Sequence, residues 1–232
     1  MKTLKLRIFR VVFITSFVLG SADLSALDII LGYHPFPADA ARASIDERVA
    51  EMYHPIAINV DPERGIDMLY FRDEQASAGA APVTWILYEF DDFSVLDADF
   101  TAFLREGFVP MDISGGLNSL MVMFVRSSTE ITGWRLTAGQ PDQESVSQTI
   151  ESYRQQGFEL HGLSYSDEQM WFLFLKIGTR DAIRSTVTYT VNDVRAIETD
   201  VSRRVATGWF PTALAVLPDD QIVLAYRLLV TR

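Results

Sequence analysis

The sequence predicts an α+β fold of four tandem strand-helix-strand-strand units, because three landmarks recur four times in the same order. The first is a short signature around an aromatic residue. It reads Gly107-Phe108-Val109-Pro110 and Gly208-Trp209-Phe210-Pro211, with weaker copies at Met52-Tyr53-His54-Pro55 and Gly157-Phe158-Glu159-Leu160. The four aromatics lie 55, 50 and 51 residues apart. The second landmark stands upstream: Tyr33, Tyr88 and Tyr189 each precede the aromatic by 20 residues, and Trp134 precedes it by 24 across extra residues near Gln140-Pro141-Asp142. The third is basic and downstream, at Arg72, Arg126, Lys176 and Arg227, 18 or 19 residues after the aromatic. The units run over about 27–81, 82–128, 129–182 and 183–232.

Within each unit the helix is read from spacing. Ala41, Ile45 and Val49 match Leu96, Phe100 and Leu104, and again Ile197, Val201 and Val205. A spacing of four gives one apolar stripe on a helix. The third unit keeps Val146 and Ile150, has Arg154 at the last place and offers Tyr153 as its substitute. Asp142 and Ser94 are candidate N-caps, the latter with Asp97 three residues on. Gly107, Gly157 and Gly208 stand where a left-handed residue ends a helix, a place filled by Met52 in the first unit.

A strand follows each helix, seen as alternation in Ile56, Ile58 and Val60. Asp61 to Gly65, Gly115-Gly116, Ser166-Asp167 and Pro218-Asp219-Asp220 supply hairpin turns. The last strand of each unit, such as Leu120 to Val125 or Met170 to Leu175, is a continuous apolar run of the kind buried on both faces. About twelve strands and four helices result. One helix cannot cover both faces of its own sheet, so the units must pack on one another. They can close around a pseudo-fourfold axis as an α/β propeller with helices outside, or pair into two layers. Closure is favoured because it protects sheet edges.

Residues 1–26 read as a secretory signal. Lys2, Lys5, Arg7 and Arg10 precede the apolar run Val11 to Gly20, which ends in small residues. Cleavage after Ala22 fits best and cleavage after Ala26 is second. The single repeat domain then occupies 27–232. With no Cys in the chain, disulfides and a Cys-linked lipid anchor are excluded. The chain carries −11, and removal of the four leader basics takes it to −15, which argues against nucleic acid and anionic membranes as partners.

The run from Asp99 to Arg126 reads helix, Gly107-Phe108-Val109-Pro110, Ile113-Ser114-Gly115 and then an apolar strand. It resembles the bacterial tandem repeat found in polyglycine hydrolases and other secreted proteins, as does the run Tyr153 to Leu175. The Arg that follows the aromatic in that family is replaced here by His54, Val109, Glu159 and Phe210. The hydrolases carry a separate serine-hydrolase domain, for which this chain has no room. The resemblance therefore implies an accessory or binding module.

Common catalytic signatures are absent: no Cys nucleophile, no His-Glu-x-x-His pair, no phosphate loop and no Gly-x-Ser-x-Gly elbow. His34, His54 and His161 are the histidines available as bases, and His161 with Ser164 and Asp167 is too crowded on one strand for a triad. Asp92 and Asp193 occupy matching places in the second and fourth units. They read as turn or helix caps, or else as the acid and base of a small hydrolase. Arg72, Arg126, Lys176 and Arg227 read as strand-end ion-pair partners, or as an anion cradle if the ring brings them together. Tyr33, Tyr88, Trp134 and Tyr189 read as packing residues or as stacking platforms for sugars or peptides. The expected function is a periplasmic or secreted, non-enzymatic module that binds a protein, peptide or cell-wall glycan, with no cofactor and no metal.

Overall fold

The structure, a computed structural model, describes residues 4–6, 27–34, 38–61, 65–73, 82–116, 118–218 and 221–228. The expected leader lies outside these residues apart from Leu4–Leu6, and so do parts of the turns expected at 61–65 and 218–220.

Leu4–Leu6 forms a short strand, β1, antiparallel to the next. The first unit then comprises β2 (Leu27–His34), α1 (Ala38–Ala50), β3 (His54–Asp61) and β4 (Gly65–Asp73). The second comprises β5 (Trp85–Phe90), α2 (Leu96–Arg105), β6 (Phe108–Gly116) and β7 (Ser119–Arg126). The third has β8 (Ile131–Gly139), α3 (Gln143–Gln155), β9 (Glu159–Ser166) and β10 (Gln169–Ile177). The fourth has β11 (Ser185–Val191), α4 (Val194–Val205), β12 (Trp209–Leu217) and β13 (Gln221–Leu228).

Every unit folds its strands into one antiparallel sheet with the last strand in the middle: β2-β4-β3, β5-β7-β6, β8-β10-β9 and β11-β13-β12. That position explains the continuous apolar runs. Leu120, Val122, Met123 and Phe124 of β7 are buried, as are Met170 to Leu175 of β10, because a central strand has a covered surface on each side.

The helices do the covering, and each serves two sheets. The stripe Ala41, Ile45 and Val49 of α1 shares a core with Tyr70 of its own sheet and with Met123, Trp85 and Leu87 of the second. In the same way α2 lies with Trp171 and Leu173 of the third sheet, and α3 with Val187 and Val223 of the fourth. The cycle is completed by α4, which shares a core with Leu69 and Phe71 of the first sheet. Tyr153 takes the place left by Arg154 as expected, stacking on Phe174 with ring centres 4.3 Å apart. Burying each such side chain contributes roughly 1.5–3 kcal/mol.

Helix ends follow the glycine rule. Gly107, Gly157 and Gly208 have φ of 82°, 86° and 85°, and Met52 adopts the same left-handed conformation at 67°. Asp142 caps α3, accepting the Ser145 amide at 2.9 Å. Ser94 does not cap α2, since the N-cap is Val95 in helical conformation with no side-chain acceptor. The second landmark also shifts in the third unit. Trp134 pairs with Leu175 as Trp85 pairs with Val125, whereas Tyr88 pairs with Val122; the counterpart of Tyr88 in register is Thr137. The distance through the helix-entry loop differs between units, and a count from the aromatic misplaces the match.

The strand after each helix is the inner edge of its sheet, and these inner strands meet. β3 touches β6, β6 touches β9, β9 touches β12 and β12 touches β3. No sheet hydrogen bonds join one unit to the next among the described residues. In all four inner strands the register shifts at the same repeat position, at Ile56, Met111, His161 and Thr212. The bulge re-aims the residue that follows. Those residues are Ala57, Asp112, Gly162 and Ala213. The Asp112 carboxylate accepts the amides of Ile58 at 2.8 Å, Ile113 at 2.9 Å and Leu163 at 3.0 Å, and the Leu214 amide also faces it. One side chain thus binds the equivalent amide of three units and faces that of the fourth. One strand position further on, Ser114 Oγ accepts the Val60 amide and Ser164 Oγ the Gly115 amide, each at 2.8 Å.

Candidate functional site

Groups able to exchange a proton near neutral pH are mostly sealed in. His34 is buried, with Nε2 at 2.7 Å from the Tyr70 hydroxyl, and burial aided by Arg48 lowers its pKa to about 4. His161 is held well below its ordinary value by burial and then by Arg227 and Arg180. Glu159 is 1% exposed and accepts Arg180 Nη2 at 2.9 Å and the Ile183 amide at 3.1 Å, with Arg227 Nη1 at 3.5 Å. Burial pushes Asp112 well up, against the pull of the backbone amides around it. Asp112, Glu159 and His161 sit in contacts between units, and His34 within its own. His54 stacks on Phe71 at 5.0 Å. Ser164 and Asp167 are bonded to Gly115 and Ser166, so no triad forms around His161.

Three of the basic landmarks contact an aromatic ring of their own unit. Arg72, Arg126 and Lys176 each lie over the aromatic of their own unit, at 4.5 Å from Tyr53, 4.8 Å from Phe108 and 5.9 Å from Phe158. Such contacts suit a cation at a strand end beside a flat ring. Arg227 departs from this pattern and turns to Glu159 in the third unit.

The aromatic landmarks pack. Tyr88 meets Phe90 and Phe103, Trp134 stacks on Phe100 at 4.2 Å across a unit boundary, and the Tyr189 hydroxyl donates to the Pro141 carbonyl at 2.6 Å across another. Tyr33 is 47% exposed. Asp193 caps α4, accepting the amides of Arg195 at 3.0 Å and Ala196 at 3.1 Å. Asp92 accepts the Ser94 amide at 2.8 Å, and the hydrogen bonds from Ser94 lower its pKa. These are the contacts of a helix cap at Asp193 and of a turn at Asp92.

The concavity with chemistry to offer lies in the fourth unit and was not marked by any repeat landmark except Tyr189. It is a groove of about 540 Å³ between β11 and α4, reached by Gln143 at the start of α3. Thr188, Tyr189 and Thr190 form its floor, and Arg195, Thr199, Asp200, Arg203 and Arg204 form its wall. Asp200 is buried, which works against its charge, yet hydrogen bonds from Thr188, Tyr226 and Arg203 prevail and hold the carboxyl below its ordinary value. Arg204 lies 5.8 Å over the Tyr226 ring, and its buried Nε has no hydrogen-bond partner among the described residues. Three arginines against one carboxylate make this groove locally positive in a chain of net charge −11. The signal available in the sequence was the Arg195, Arg203 and Arg204 set on one helix, three of only 20 basic residues. A second hollow of about 510 Å³ adjoins it at Tyr189, lined by Tyr165, Leu217 and Pro218 among others.

Among the described residues no group of three His, Asp or Glu could hold a metal ion, and no helix is long and apolar enough to cross a membrane. In comparisons with known proteins, no family model matches the chain and no curated protein matches it significantly.

Proposed function

We propose that the chain acts in the periplasm or outside the cell as a non-enzymatic scaffold that binds a protein, peptide or cell-wall glycan through the α4–β11 groove. The carrying observation is a contrast. Buried Asp112, Glu159 and His161 are engaged in contacts between units, whereas the groove in the fourth unit is open and polar and carries three arginines. In the proposed architecture the four units close around a pseudo-fourfold axis as an α/β propeller, with each helix wedged between consecutive sheets. The cyclic contacts of β3, β6, β9 and β12 and the amides of three units on Asp112 support closure. Closure gives the groove a rigid frame, which a binding surface needs to limit the entropy lost on association. Export is proposed from the basic, apolar and small-residue order of residues 1–26.

Hydrogen exchange with and without ligand tests the assignment. Titration with peptidoglycan fragments and with acidic peptides should slow exchange in β11 and α4. Protection confined to other units would remove the groove from the proposal. Hydrolysis of a fragment that stopped in both Asp92→Asn and Asp193→Asn would replace the scaffold with a carboxylate-dependent hydrolase.

A further inference from the structure

We infer that the groove takes an extended peptide strand with acidic side chains, paired through its main chain to the outer edge of β11. This inference rests on the groove being the binding site. β11 is the outermost strand of its sheet, hydrogen-bonded on one side to β13. The Leu228 amide donates to the Arg184 carbonyl at 2.9 Å, which sets the parity of that ladder. In an antiparallel pair alternate residues bond to the partner strand. Ser185, Val187 and Tyr189 therefore direct their N–H and C=O groups outward, and the run closes at Val191, whose carbonyl accepts the Asp193 amide at 2.8 Å.

The groove runs along this edge. Four consecutive residues, Val187 to Thr190, line it, which one face of a strand could not do because its side chains alternate. An added strand would place alternate side chains on opposite faces of the sheet. Those on the α4 side meet Arg195, Arg203 and Arg204, which favour carboxylates with planar, two-point pairing. Those on the other side meet the hollow formed by Tyr165, Tyr189, Leu217 and Pro218, which suits apolar groups. The occupant is thus a segment alternating acidic and apolar residues, bound in the mode in which a peptide extends a sheet. A sugar acid would satisfy the arginines but not the outward amides and carbonyls at strand spacing.

The test uses the purified protein and a synthetic library of eight-residue peptides alternating Glu with Val, Leu or Tyr. Controls carry Lys for Glu, or N-methyl groups on one or the other alternate set of amides, and polygalacturonate represents acidic glycans. The best Glu peptide should bind at least tenfold more tightly than its Lys counterpart. One N-methyl register should weaken it at least tenfold while the other leaves it unchanged, and exchange should slow at Val187 and Tyr189. Arg195→Glu, on an exposed side chain, should weaken binding at least tenfold with an unchanged melting temperature. Insensitivity to both N-methyl registers would overturn the strand pairing. Binding of polygalacturonate alone, lost in Arg195→Glu, would overturn the peptide and leave the groove as the site. Failure of every probe would overturn both.

Discussion

Gly162 stands where Asp112 stands one unit earlier, and its missing Cβ leaves room for that carboxylate: a methyl there would sit 3.1 Å from Asp112 Oδ1 and 3.0 Å from the Ile113 amide. The matching positions in the other units are Ala57 and Ala213. Amides of three units bond to one carboxylate and that of the fourth faces it, within the reach of its about four lone-pair sites. A single acid among three small residues therefore satisfies the arrangement. Asp112→Ala leaves three donors without their acceptor and should destabilise the fold by about 3 kcal/mol or more, with Asp112→Asn falling between it and wild type. Urea midpoints of the three proteins measure this, and an Ala variant within about 0.5 kcal/mol of wild type would show that the carboxylate holds nothing together.

Gly162→Ala tests the same contact from the other side. The added carbon meets backbone as well as a carboxylate already fixed by three hydrogen bonds, so neither can move freely. A loss of about 1–3 kcal/mol is expected, in the range for overpacking a tight interior. Combining it with Asp112→Ala should cost less than the sum of the two single changes, because the clash partner is gone.

Helix termination gives an opposed pair of substitutions. Met52 has φ of 67° where the other units have glycine, so Met52→Gly should stabilise by up to about 1 kcal/mol. Gly208 has φ of 85° and nothing within 4 Å of an added Cβ, so Gly208→Val is a test of backbone conformation alone. It should destabilise by roughly 1 kcal/mol or more, since a β-branched residue resists positive φ. Thermal melts of both variants on one baseline decide the matter.

The units, helices and central strands were legible because each rests on local spacing. Ala41, Ile45 and Val49 declare a stripe whichever sheet they face. What the stripe touches is another matter: nothing near these residues says that Trp85 of the next unit lies against α1, with Nε1 donating to Asp46 at 2.9 Å. Asp112 left a trace as the one acid in the Ala-Asp-Gly-Ala set, but its meaning depends on where four strands converge. The groove left less. Arg195, Arg203 and Arg204 occupy no shared repeat position, and a search for landmarks common to all units passes over a feature that only the fourth possesses. For three of the basic landmarks, Arg72, Arg126 and Lys176, the sequence signal reflects a strand-end cation beside the aromatic ring of its own unit.

Acid should weaken the fold through His34. Its folded pKa of about 4 lies below the ordinary 6.5, so between those values the unfolded chain binds more protons. The contribution is present in full above about pH 6.5 and fades as pH falls toward 4. Between pH 7 and pH 5 wild type should lose roughly 2 kcal/mol from this group, a loss absent in His34→Gln. His161 acts in the same direction in both proteins, so the difference between the two pH profiles isolates His34. Parallel profiles would mean that His34 is not buried neutral.

Asp193 and Asp92 separate a cap from an acid-base pair. Asp193 accepts two amides at the start of α4, and an Asn side chain offers the same carbonyl oxygen. Asp193→Asn should therefore cost little, while Asp193→Ala should cost about 0.5–2 kcal/mol. Asp92 precedes α2 without capping it and accepts one exposed amide, so Ala there should cost less than at Asp193. A catalytic pair would behave differently, because Asn cannot exchange a proton and would be as damaging as Ala at either position. Urea melts and fragment-hydrolysis assays on all four variants read both roles at once. Folded Asn variants that keep ligand binding support capping; folded Asn variants that lose a hydrolytic activity present in wild type would make these two carboxylates the acid and base.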